Sequence, residues 1–217
     1  MKNPWIDLAN REPFALQDDL CPILRFNQTA DDVTRIHLNV LPEPFIGLPD
    51  ASVVLLNLNP GFSEEEVAYH HLDEYFRNAA LANLSHTPQP YPFYFLDPAV
   101  SSPGHRWWQS RLRTLLERVP VGRLSQRLLC VEYFPYHSAR FSATVPRVPS
   151  QEYSFQLVRD AVARGAVIIA MRALRSWRQA VPELESTTVH SLNSAQSVYI
   201  TSGNCPTGFP AALAALG

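Results

Sequence analysis

Several groups of residues in this 217-residue chain could carry chemistry. The first is Val53-Val54-Leu55-Leu56-Asn57-Leu58-Asn59-Pro60-Gly61-Phe62, an apolar run that stops in an amide-rich turn. Pro60 fixes one backbone dihedral and Gly61 permits close approach. Such a turn presents the Asn59 amide and neighbouring N–H groups, which can position water or stabilise an oxyanion or phosphate. Asn-Pro-Gly is equally ordinary turn chemistry. The second is Glu132, inside Leu129-Cys130-Val131-Glu132-Tyr133-Phe134, where a buried strand should be apolar. A carboxylate there needs a partner, a raised pKa or an opening to a cleft. An arginine-paired structural glutamate satisfies the same rule. His137 and Ser138 follow it and would suit nucleophilic hydrolysis, but no Gly-x-Ser-x-Gly elbow accompanies them.

His70-His71 with Asp73 reads as a solvated helix face. Adjacent helical side chains diverge by about 100°, and no His-Glu-x-x-His pattern is present. No metal or other cofactor is expected. The late loop Thr201–Pro210 is rich in Gly and Pro and carries Phe209. That ring either enters a duplex as an apolar wedge or caps the core beneath the last helix.

These groups need a scaffold. Four apolar runs, 52–56, 128–134, 166–171 and 197–201, read as buried strands of a mostly parallel four-stranded sheet. Helical patterns alternate with them at 64–84, 106–118, 154–164, 173–180 and 210–216. Alternation predicts a three-layer α/β/α domain over residues 1–217, with ligands bound outside the carboxyl ends of the strands. Those ends are Asn57–Gly61, Pro135–Ser138, Arg172 and Ser202–Pro206.

Composition sets limits. The chain is 46% hydrophobic and 18% charged, as in a globular protein. No apolar run nears the ~20 residues of a membrane helix. The first apolar residues are interrupted by Asp7, Asn10, Arg11 and Glu12, unlike a secretory leader, so a cytoplasmic protein is expected. Three distant cysteines, Cys21, Cys130 and Cys205, indicate reduced thiols and neither a disulfide framework nor an iron–sulfur cluster. Residues 1–100 carry five basic and fourteen acidic groups; residues 101–217 carry thirteen basic and six acidic ones, all thirteen arginine. Arginine suits phosphate, so the second half permits a nucleic-acid face; a GC-rich genome would give the same bias.

Taken in order, the segments resemble the mismatch-specific uracil/thymine DNA glycosylases of the uracil-DNA glycosylase superfamily. That family has a strand ending in Gly-x-Asn-Pro-Gly, where this chain has Asn57-Leu58-Asn59-Pro60-Gly61. Its base-stacking aromatic and following helix resemble Tyr91-Pro92-Phe93-Tyr94-Phe95 and Gly104-His105-Arg106-Trp107-Trp108. Its late Asn-Pro-Ser-Gly-Leu loop resembles Asn204-Cys205-Pro206-Thr207-Gly208-Phe209, one residue longer.

The resemblance implies base flipping and hydrolysis of an N-glycosidic bond in DNA by a monomer, in repair or in defence against modified phage DNA. The other outcome it leaves is an inactive nucleic-acid- or nucleotide-binding module. Asn59, helped by Asn57, would hold the water. Phe62, Phe93, Tyr94, Phe95, Glu132 and His137 would form the base pocket. Arg106, Arg140, Arg172, Asn204, Thr207, Gly208 and Phe209 would meet DNA. Residues 1–50 stand as an N-terminal helical and loop extension, and 63–84 as an inserted helical segment. Glu132 lies where relatives read the base with an amide. An ionised carboxylate only accepts hydrogen bonds, which favours an amino-bearing or hydroxylated, cytosine-like or adenine-like base over uracil.

Overall fold

A computed structural model of the chain describes residues 1–194 and 196–217. The fold is α/β. Five strands, β1 (Phe45–Gly47), β2 (Val53–Leu56), β3 (Leu128–Val131), β4 (Val167–Ala170) and β5 (Val189–Ser191), form one sheet in the order β1-β3-β2-β4-β5. The sheet is mixed: β2 runs parallel to β3 and β4, β4 parallel to β5, and β1 pairs antiparallel with β3. The central strands are apolar along their whole length because both faces are covered. Val53 and Leu55 join one hydrophobic cluster; Val54 and Leu56 join the other.

Among the described residues the α-helices are α1 (Gln17–Asn27), α2 (Glu64–Leu72), α3 (Glu74–Leu84), α4 (Pro103–Leu116), α5 (Val121–Arg127), α6 (Gln151–Ala163), α7 (Leu174–Ala180) and α8 (Gly208–Leu216). Residues of α3, α4, α5 and α8 build the first cluster, and residues of α1, α6 and α7 build the second. None of these helices is long and apolar enough to cross a membrane. All three cysteines are free.

The expected four-stranded, mostly parallel sheet is instead a five-stranded mixed one, because β1 adds an antiparallel edge, and three further expectations are corrected. Residues 197–201 are not a strand, although Val198 and Ile200 are buried. Their backbone groups are taken elsewhere: Ile200 N–H donates to Arg111 O of α4, and Asn204 Nδ2 donates to the carbonyls of Ser197 and Tyr199. The edge place beside β4 goes to β5. The first 50 residues are more than an extension, since they supply β1. Gly47 there has φ +111°, and a Cβ on it would lie 2.1 Å from Leu128 O. Finally, 64–84 is two helices. Asp73 leaves the helical conformation and caps α3, its Oδ1 accepting from Phe76 N–H at 2.9 Å.

Candidate functional site

The carboxyl ends of β2 and β3 and the start of α4 border a cleft of about 510 Å³. Its polar lining is amide and carboxyl, Asn57, Asn59, Glu132, Glu43 and Glu66, together with Arg140 and Arg172. Its aromatic lining is Phe62, Phe95, Trp107 and Trp108. Gly104 makes that lining possible, since a Cβ on it would stand 2.5 Å from the Phe95 ring. Phe62 stacks on His37 with ring centroids 3.3 Å apart.

Asn57 and Glu132 face each other across the paired ends of β2 and β3. Asn57 Nδ2 donates to Glu132 Oε1 at 2.9 Å, while Asn57 Oδ1 and Glu132 Oε2 are buried without a partner. Burial pushes the Glu132 carboxyl up to about 8, against the smaller opposing pull of Asn57, Cys130 and Arg172. Glu132 is therefore protonated at neutral pH. Asn59 Nδ2 donates to Ser138 Oγ at 3.0 Å and to Pro60 O at 2.8 Å, which leaves its Oδ1 to accept from water. Burial also lifts Glu66 to about 7 and Glu43 well above its usual range, the two carboxyls repelling each other.

Other residues singled out in the sequence lie elsewhere. Phe93 and Tyr94 are fully buried and do not line the cleft: Phe93 packs edge-on against Trp108, and Tyr94 packs against Phe76 and Phe95. His137 is buried below the turn, with Nδ1 2.6 Å from Gly61 O and Nε2 2.9 Å from Leu41 O. Both nitrogens face the backbone and Ser138 Oγ is held by Asn59, so His137 and Ser138 form no nucleophile–base pair. His70 is buried, not solvated, because α2 turns it toward His137 and Phe76.

Arg106 is held away from the cleft by Glu65, at 2.7 and 2.8 Å. Arg140 pairs with Asp31 at 3.5 Å and also borders a neighbouring open groove. Arg172 is exposed. Phe209 is 8% exposed and belongs to the core under α8, so it is not a free wedge. Gly208 is packed so closely that a Cβ would meet Cys205 Sγ at 2.5 Å. Exposed Thr207 bonds His190 Nδ1 through its hydroxyl, and Asn204 bonds the backbone of Ser194, Ser197 and Tyr199. Glu43, Glu66, Trp107 and Trp108 are cleft residues that the sequence did not place there; Trp107 and Trp108 stand in the Gly104–Trp108 motif, Glu66 is the acid of a Ser63-x-x-Glu66 helix-start pattern that says nothing of a cleft, and Glu43 carries no local signal. No family model, curated protein or solved structure matches this chain.

Proposed function

We propose that the protein is a monofunctional DNA glycosylase that takes an extruded base into this cleft and hydrolyses its N-glycosidic bond. One observation carries the reading: a single cleft is lined both by aromatic side chains and by a buried amide–carboxyl pair with two unpartnered polar atoms. A flat heteroaromatic ring with a hydrogen-bonding edge satisfies both at once, by stacking and by pairing. Asn59 orients water toward the sugar C1′ through its amide oxygen. Positive charge growing at that carbon is met by positioning and electrostatics rather than by a covalent nucleophile. Protonated Glu132 donates to the base through one oxygen while its other oxygen accepts from Asn57. A carbonyl-bearing edge is then read as readily as the amino-bearing edge expected of an ionised group.

The test is incubation of the chain with duplex and single-stranded DNA carrying a panel of modified bases, followed by alkali to reveal abasic sites. Strand cleavage by wild type, lost in Asn59→Ala with DNA affinity retained, supports the reading. Binding without abasic sites on any substrate replaces it with a binding module. Neither binding nor cleavage removes both.

A further inference from the structure

Beneath the catalytic turn lies a cluster that the proposed chemistry leaves unused. Glu43 precedes β1, His70 sits on α2 and His137 follows β3; each offers one ligand atom, and the three atoms lie within 4.8 Å of one another. All three residues are buried. Among the described residues no lysine or arginine pairs with Glu43 or with its neighbour Glu66; the nearest basic group to each is His137, at 3.8 and 3.9 Å. An ionised carboxylate at either position, without a cation beside it, is costly.

His137 adds a second, independent observation. A neutral imidazole has one N–H, yet Nδ1 faces Gly61 O and Nε2 faces Leu41 O. One contact therefore sets a nitrogen lone pair against a carbonyl oxygen. A cation on the Nε2 side removes the conflict, because Nδ1–H can go on donating to Gly61 O. A histidine fixed by a backbone carbonyl in this way is the common outer-shell arrangement at metal sites. The Nε2 separations from Leu41 O (2.9 Å) and Glu43 Oε1 (3.8 Å) bracket the spacing of roughly 3.3 Å between ligands bonded at about 2.0–2.1 Å. His70 Nδ1 accepts the Leu41 N–H at 3.1 Å, which fixes the orientation of that ring beside the other two groups.

We propose that Glu43, His70 and His137, joined by the Leu41 carbonyl, bind one divalent transition-metal ion. Two imidazoles and a carboxylate suit Zn²⁺ and its first-row neighbours rather than Ca²⁺ or Mg²⁺. The cleft, which Glu43 and Glu66 line, gives the ion a way in. The ion's role is structural. It ties three chain segments together and, through His137 Nδ1–H and Gly61 O, holds the turn that carries Asn59.

The full-length chain is stripped with chelator, titrated with Zn²⁺ or Co²⁺, and assayed by elemental analysis after dialysis, by Co²⁺ absorption and by thermal unfolding. Glu43→Gln and His70→Gln are near-isosteric variants, checked for fold by circular dichroism. The expected result is about one ion per chain, a Co²⁺ visible spectrum of low coordination number, and a Zn²⁺-dependent rise in Tm. Each variant should weaken binding at least ~10-fold. Equal binding by folded variants would assign the ion to the surface and overturn the site. A wild type that retains no metal and gains no Tm would overturn it too, leaving a second proton on His137 to settle the contacts; nitrogen NMR of that ring would then show both N–H groups. None of these readouts depends on glycosylase activity. If a folded variant was instead destabilised so far that it could not be titrated, the Co²⁺ spectrum of wild type decides alone: imidazole-bound cobalt supports the site, aquo-cobalt ends it.

Discussion

Asn57 and Glu132 are joined by one 2.9 Å hydrogen bond that leaves each with a buried polar oxygen unpaired. The pair joins the ends of two adjacent parallel strands, beside the turn that carries Asn59.

Burial of Glu132 makes folding pH-dependent. In the unfolded chain the carboxyl ionises near 4.5; in the native state it does so at about 8. Between those values the native state holds a proton that the unfolded state has released, so this group's contribution to stability is highest below 4.5 and falls as pH rises to about 8. The total loss is on the order of 5 kcal/mol. Glu132→Gln removes the titration. Urea unfolding at about pH 5 and about pH 8.5 should show the variant gaining on wild type at the higher pH; parallel curves would refute a buried protonated Glu132.

Under the proposed function the same proton would govern base choice. Below about 8 Glu132 can donate to a base carbonyl, and above it only accept. Excision of a carbonyl-edged base should fall through that range in wild type and stay level in Glu132→Gln, whose amide remains a donor. Competition between carbonyl- and amino-edged substrates across pH checks this. An unchanged preference would remove Glu132 from base reading.

Asn59 and Ser138 test positioning. Losing the Asn59 amide should cost ~10²–10³ in the chemical step, the usual scale for one preorganised polar group. Ser138→Ala removes only the hydroxyl that orients that amide, at 3.0 Å, so a smaller loss in kcat with little change in KM is expected. Single-turnover kinetics separate the two. Equal losses would make Ser138 a direct participant.

The strands β2, β3 and β4 are legible in the sequence because burial on both faces demands an unbroken apolar run, and Glu132 stands out as the one carboxylate in such a run. The edges are not legible in this way. Val198 and Ile200 alternate like a strand because both enter the core, yet a helix carbonyl and the Asn204 side chain take their backbone partners. No local pattern marks Glu43 or Glu66 as cleft residues, since their burial comes from packing between segments far apart in the chain. His70 and His71 show the same limit: one helix turn buries the first and exposes the second, and only the tertiary contact with His137 decides which.

Gly104 offers a steric test of the aromatic lining. In Gly104→Ala the new methyl would meet the Phe95 ring at 2.5 Å, inside contact distance. Either the ring or the first turn of α4 must shift, at ~1–3 kcal/mol. Melting temperature should fall, and base binding should weaken with it because Phe95 lines the cleft. A stable variant with weakened binding would place the shift in the ring alone; unchanged stability and binding would show that Phe95 is not held by this contact.

Phe209 decides between two roles left open by its place on the late loop. A wedge must be free in the absence of DNA, and its removal should impair base extrusion while leaving stability intact. In the structure Phe209 packs with Cys205, Val198, Ile200 and Ala212 in the cluster beneath α8. Phe209→Ala should therefore leave a cavity and cost ~3–5 kcal/mol, the range for a buried phenylalanine. Chemical denaturation measures this directly, and a fluorescent base analogue beside the target nucleotide reports extrusion. A strong loss of stability with extrusion preserved in the folded fraction confines Phe209 to the core. The opposite pattern, full stability with extrusion lost, would mean that the ring leaves the core to meet DNA.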